Sequence, residues 1–216
     1  MFGSNRTGLY KLYLRDARGI GNDELLYQSK NSCIPADWSP DNQNMIFSEI
    51  DAKTKWDLWI LRFGEPRKVF PFLVTEANES SARFSPDGKW VAYASDESGR
   101  PEIYVQPFLA EKSGKWQISN NGGFTPRWSD DGKELFYLAQ DNQIMCTAVK
   151  LSPIFEFTVP KPLFAIRPYY VRRISGFNDT FEASPDGRRF GVHVASAPPT
   201  NITVVLNWPL LLNQKK

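Results

Sequence analysis

The sequence predicts an all-β fold: a β-propeller of four-stranded antiparallel blades in an incomplete ring of about five, the first and last partial. Three observations predict it. An aromatic or small residue is followed four times by a Ser-Pro-Asp-Gly turn or a close variant. These are Trp38-Ser39-Pro40-Asp41-Asn42, Phe84-Ser85-Pro86-Asp87-Gly88, Trp128-Ser129-Asp130-Asp131-Gly132 and Ala183-Ser184-Pro185-Asp186-Gly187. The third-position aspartates stand 46, 44 and 55 residues apart, which is the span of one blade. The composition agrees, because 14% aromatic residues and 16 prolines suit short strands joined by tight turns.

The clearest unit runs from Ser80 to Asn121. Ser80 to Phe84 reads as a short innermost strand, and the Ser-Pro-Asp-Gly turn reverses the chain. Lys89 to Ser95 (KWVAYAS) is apolar on both faces, as a strand sandwiched between neighbouring blades requires. Asp96 to Arg100 forms the next hairpin, with Gly99 supplying a positive φ. Glu102 to Pro107 is the third strand and Lys115 to Ser119 the outer one. The same order recurs before it in Ile34–Trp38, Met45–Glu49, Trp56–Arg62 and Val69–Val74. It recurs after it in Thr125–Trp128, Glu134–Ala139, Ile144–Val149 and Pro162–Ile166. A final repeat offers Thr180–Ala183, Arg189–Val194 and Ile202–Asn207.

The N-terminus aligns without gaps on the clearest unit: Ser4 to Leu14 matches Ser95 to Val105, which places Met1 opposite Ala92. The first blade therefore lacks its innermost strand and most of its second, and the chain reads as the C-terminal part of a longer propeller. The expected division is one propeller segment, 1–216: outer strands of a truncated blade (1–32), blades at 33–79, 80–123 and 124–176, the last with a long outer connection, and a partial blade at 177–216. Open blade edges in such a segment are expected to promote self-association.

The turn composition has a physical reason. Proline presets φ for the second position of a type I turn, and Ser and Asp side chains bind exposed backbone amides. Asp41, Asp87, Asp131 and Asp186 are accordingly read as structural turn residues. A calcium role does not fit, since a four-residue turn offers too few oxygens and the copies lie in separate blades.

Net charge is only +2, from 26 basic and 24 acidic residues with no basic run, which argues against nucleic acid as a partner. The longest apolar run, Trp208 to Leu212, is broken by Pro209 and far too short to insert in a membrane. Cys33 and Cys146 fall on an innermost strand and on the third strand of a blade two repeats later, so they read as buried free thiols rather than a disulfide.

Phe84 to Val105 (FSPDGKWVAYASDESGRPEIYV), with the weaker copies, resembles the TolB-like β-propeller repeats, the Pro-Asp relatives of WD-type repeats. The resemblance spans nearly the whole chain and is specific for the fold rather than for one function. Phe181 to Leu212 is similar to the C-terminal blade of a bacterial subgroup whose propellers follow a serine/threonine kinase domain or a winged-helix regulator. Other relatives are partners of periplasmic trafficking complexes, or non-catalytic propellers of prolyl-oligopeptidase-type enzymes. The resemblance implies an extracytoplasmic, periplasmic setting; the residues themselves do not choose a compartment.

Chemistry is sparse. There is no Gly-x-Ser-x-Gly elbow, no phosphate loop and no kinase motif, so no catalytic residue, metal ligand or cofactor is assigned. The single histidine, His193, lies in an apolar run and reads as a packed residue. One pattern goes further: the residue before each innermost aromatic or small residue is charged, Asp37, Arg83, Arg127 and Glu182. These are candidates to line the central channel. Either acid and base pair across blades, Asp37 with Arg83 and Arg127 with Glu182, or they form a polar mouth for a peptide tail or small anionic ligand. Tyr169, Tyr170, Arg172 and Arg173, in the long connection before the last repeat, either cover an outer strand or form an interaction loop. Trp56, Trp59, Trp90 and Trp116 read as packing between blades. The expected function is a non-catalytic ligand- or protein-binding module: a C-terminal sensor of a signalling protein such as a serine/threonine kinase, the regulatory propeller of a peptidase, or a TolB-type scaffold.

Overall fold

The computed structural model describes residues 1–108, 114–152, 154–166 and 181–192, and the backbone of 203–205. These residues form strands only, arranged as five antiparallel sheets in chain order. The first holds β1 (Phe2–Ser4), β2 (Lys11–Leu14) and β3 (Glu24–Tyr27), and the second β4 (Cys33–Trp38), β5 (Asn44–Asp51), β6 (Lys55–Arg62) and β7 (Lys68–Leu73). The third holds β8 (Glu79–Phe84), β9 (Trp90–Ser95), β10 (Glu102–Pro107) and β11 (Trp116–Gln117). The fourth holds β12 (Gly123–Trp128), β13 (Glu134–Ala139), β14 (Gln143–Lys150), β15 (Glu156–Phe157) and β16 (Lys161–Ala165). The fifth holds β17 (Phe181–Ala183), β18 (Phe190–Val192) and β19 (Thr203–Val205).

Each sheet packs face to face on the next, and four apolar clusters fill the four seams. The alternation of side chains along each second strand divides them between two seams. On β9, Trp90, Ala92 and Ala94 join the seam with the fourth sheet, while Val91 and Tyr93 join the seam with the second. On β13, Leu135, Tyr137 and Ala139 face the third sheet, and Phe136 and Leu138 face the fifth. On β5, Met45 and Phe47 meet Leu12 and Leu26 of the first sheet, and Ile46 faces the third. Each of the larger aliphatic and aromatic side chains among them, fully withdrawn from water, stabilises its seam by roughly 1.5–3 kcal/mol. Trp90 lies in the core between the third and fourth sheets, with Trp116 packed against it, and Trp59 packs beside the cluster joining the first and second. Cys33 is a buried free thiol, whereas Cys146 is only half-buried.

The four turns share one hydrogen-bond pattern. The serine hydroxyl accepts from the amide five residues on, at 2.9 Å for Ser39, Ser129 and Ser184 and 3.0 Å for Ser85. The aspartate Oδ1 accepts from that serine hydroxyl and from the amide two residues on, as in Asp87 at 2.6 and 3.1 Å. Asn42, Gly88, Gly132 and Gly187 take φ of 58°, 69°, 67° and 65°, the left-handed step that re-aims the chain. Hydrogen bonds to the carboxylate hold Asp41, Asp131 and Asp186 below the usual carboxylate range, Asp131 at about 2 with Lys133 as its strongest partner.

The fourth sheet departs from the four-strand expectation. β14 runs on past its blade, and its edge pairs with both β16 and β15, so the outer position is shared by two short strands. The tip between β14 and β15 crosses to the third sheet. There Phe155, 2% exposed, is ringed by Trp90 and Trp116 at 5.3 Å and Trp128 at 6.4 Å. The Trp90 indole N–H donates to the Leu151 carbonyl at 3.0 Å, fastening the same tip.

Phe155→Ala should empty this slot and cost about 3–5 kcal/mol of unfolding free energy, measured by denaturant titration. The carboxylates of Asp41, Asp131 and Asp186 set an acid limit. Their pKa values are depressed in the folded chain, so their contribution is present above about pH 4 and is lost as pH falls toward 2. Thermal midpoints should fall over that window, and Asp131→Asn should make the fall shallower.

Candidate functional site

The four innermost strands β4, β8, β12 and β17 come together in sequence, each packing on the next. A bulge interrupts the pairing of three of them just before the charged residue: between Pro35 and Asp37, Ser80 and Arg83, and Phe124 and Arg127. In two strands the bulge is made by a non-glycine residue at positive φ, Ser81 at 56° and Thr125 at 48°. A branched residue such as threonine rarely adopts this conformation, so the surrounding pairing must hold it. The bulge re-aims the following side chain, which places Asp37, Arg83 and Arg127 in one row with Glu182 on β17.

The row is wired through adjacent backbone as well as by charge. The Arg83 guanidinium donates to the carbonyl of Ala36, the residue before Asp37, at 2.5 Å, and to its own neighbour Ala82 at 3.1 Å. In return Asp37 Oδ2 accepts from the amide of Phe84, the residue after Arg83, at 2.8 Å. Desolvation raises the Asp37 pKa, opposed by the positive charge of Arg83, the amides of Phe84 and Trp38, and the more distant Arg127. The Trp128 indole donates to the Arg83 carbonyl at 3.2 Å, which ties β12 to β8.

Arg127 and Glu182 form a bidentate pair across the next seam, at 2.8 and 2.7 Å, and Arg127 also donates to the Pro126 carbonyl at 2.8 Å. The partners differ sharply in exposure: the Arg127 side chain is 6% exposed and that of Glu182 is 62% exposed. A buried planar cation is thus met by a carboxylate reaching in from solvent, the fork-to-fork geometry that suits planar bidentate oxyanions such as carboxylates.

Both predicted acid–base combinations are brought together, the first through backbone groups and the second as a direct ion pair. Tyr169, Tyr170, Arg172, Arg173 and His193 lie outside the described residues. The bulges at Ser81 and Thr125 were not anticipated; small or hydroxylated residues before the charge are the one, weak, signal for them. Phe155 was also missed, because a lone aromatic in a loop has no periodicity to betray it. Among the described residues, no group of three His, Cys, Asp or Glu side chains is placed to hold a metal. No helix among them is long and apolar enough to cross a membrane.

Comparison with known proteins gives a consistent picture. The family described as PD40, TolB beta propeller domain, matches residues 1–154. The Tol-Pal system protein TolB of Anaeromyxobacter dehalogenans is 25% identical over 123 residues, covering 56% of this chain and 27% of that protein. TolB from Acinetobacter baumannii superimposes with a TM-score of 0.63 at 20% identity, over 92% of this chain and 46% of that one. A puromycin-hydrolyzing peptidase of Mycobacterium tuberculosis shares the fold at a TM-score of 0.51 and 17% identity, over 72% of this chain and 27% of that one. The chain spans about a quarter of the length of the curated relative and under half of the Acinetobacter protein.

Arg127→Gln should remove the bidentate pair and leave the Pro126 carbonyl without its donor. The expected cost is about 1–3 kcal/mol, read from chemical denaturation, with the strand signal in circular dichroism retained.

Proposed function

The chain belongs to the TolB β-propeller family, and on that premise we propose that it is a non-catalytic module binding a protein partner through the row of charges on its innermost strands. The five sheets would form one propeller segment, 1–216, and the row would line the wall of its central channel. The observation that carries this reading is the Arg127–Glu182 pair. It presents a buried guanidinium to an exposed carboxylate, so an incoming carboxylate can take the place of Glu182 without a new cation having to be buried. The fitting occupant is the carboxylate of a peptide tail, extended along the bulged strands.

The family and the Tol-Pal relative support a TolB-type scaffold working outside the cytoplasm, within a larger bacterial protein. The sensor of a serine/threonine kinase draws no support from them. The likeness to the peptidase is one of fold alone, and a peptidase-gating role draws nothing further from it.

The test is binding of short peptides with a free C-terminal carboxylate, beside their amidated forms and small dicarboxylates, by isothermal titration. Free-carboxylate peptides should bind, amidation should weaken them at least tenfold, and Arg83→Gln with Arg127→Gln should abolish binding in a folded chain. Glu182→Gln, by removing the internal competitor, should tighten it. Equal binding of amidated and free peptides would overturn the carboxylate reading. Dicarboxylates binding as tightly as peptides would make the site one for small anions.

A further inference from the structure

At the rim opposite the four turns, three consecutive seams each bury an acid. In the first, Glu49 is supplied by the Ser29 hydroxyl at 3.0 Å and the Asn31 amide at 2.9 Å on one oxygen, with the Tyr27 hydroxyl and Cys33 thiol at 3.5 Å on the other. In the third, Glu102 accepts from Arg100 at 2.7 Å, from the Gly122 amide at 3.0 and 3.1 Å, and from the Ser119 hydroxyl. Both carboxylates have donors on each oxygen.

The middle seam, between the second and third sheets, is different because it holds two. Asp57 on β6 is 2% exposed and Glu79 at the head of β8 is fully buried. Thr54 donates to Asp57 Oδ2 at 2.5 Å and Thr75 to Glu79 Oε1. Asp57 Oδ1 and Glu79 Oε2 are buried without a hydrogen-bond partner. The excess carboxyl is Glu79. It heads its innermost strand where Gly123 heads β12 and Cys33 heads β4, and at Gly123 the space a side chain would need is taken by Ser119 and Ile103.

We propose that Glu79 is a proton-operated fastener: protonated, it lets β8 seat against the second sheet, and ionised, it loosens that seam. Two carboxylates buried in one seam, each with an oxygen that no protein donor reaches, cannot both carry charge without a large desolvation cost, and one proton removes the conflict. Burial pushes the Glu79 pKa up to about 7, with the charges of Asp57, Glu97 and Asp96 adding to it, and burial also raises that of Asp57. The surrounding groups work the same way. Asp51 and Glu49 on β5 act on Asp57, and Tyr93 on β9 is held neutral by burial. Of the acids in the turn after β9, Asp96 is engaged by Asn78 and Glu97 by Lys115 at 2.6 Å. The charges farther along the packed innermost strands, Asp37 on β4 and Arg127 on β12, lie at the turn end of those strands, away from Glu79.

An acid whose pKa is raised on folding binds its proton more tightly in the folded chain. The Glu79 contribution to stability is therefore full below about pH 4.5 and is lost as pH rises toward 7. The experiment is the folding equilibrium of the full 216-residue chain in denaturant from pH 5 to 8.5, for the native sequence and Glu79→Gln. The native folding constant should fall by up to roughly tenfold per pH unit between pH 5 and 7. Glu79→Gln, which mimics the protonated group, should hold its folding constant level there and exceed the native chain at pH 8. If the Gln variant does not fold, Glu79→Gly, copying the head of β12, should show the same level profile. A native chain level from pH 5 to 7.5, or a variant that keeps the native slope, would overturn the proposal.

Discussion

Everything in this chain depends on sheets that must bury both faces. A single three- or four-stranded sheet cannot shield its apolar residues alone, so each blade borrows half of its core from either neighbour. The alternation on β5, β9 and β13 is the molecular form of that constraint: adjacent residues of one strand belong to different cores. The packing that follows brings the innermost strands β4, β8, β12 and β17 to a common line. That is why charges 44 to 55 residues apart in the sequence end as neighbours.

Convergence creates a problem that the polar groups solve. Innermost strands approach closely but do not pair with each other, so their backbone groups need other partners. Arg83 satisfies the carbonyl of Ala36, the Asp37 carboxylate satisfies the amide of Phe84, and the Trp128 indole satisfies the carbonyl of Arg83. The charged row is thus part of the scaffold before it is a binding surface. Arg127, its fork divided between the Pro126 carbonyl and the Glu182 carboxylate, is held in one orientation, which is the preorganisation a recognition site requires.

The repeat made most of the fold legible. Its period, the turn chemistry and the two-faced second strands placed β4 to β14 and β16 to within a few residues, because each signal is local and recurs. The extra strand β15 was not legible. Phe155 is buried by Trp90 and Trp116 of another blade, and no local pattern records a contact that distant. The charged row was legible as a position in the repeat, but not as a geometry. Pairing of Arg127 with Glu182 follows from opposite charge on neighbouring strands, whereas the exchange between Arg83 and Asp37 runs through the backbone of the residues beside them, which sequence does not encode by charge.

The two rims of the sheets make different use of acids, and the difference lies in how donors are counted. At the turn rim each aspartate is exposed and takes its donors from its own turn, so the four turns can repeat without reference to one another. At the opposite rim each acid is buried and takes its donors from neighbouring strands and loops, so its state depends on what the next repeat supplies. Where the next repeat supplies a glycine amide, as at Gly122, the acid is saturated. Where it supplies another acid, as at Glu79, a buried oxygen is left over on each side. The same architecture therefore yields an inert seam or a proton-sensitive one, and a single residue at the head of an innermost strand decides between them.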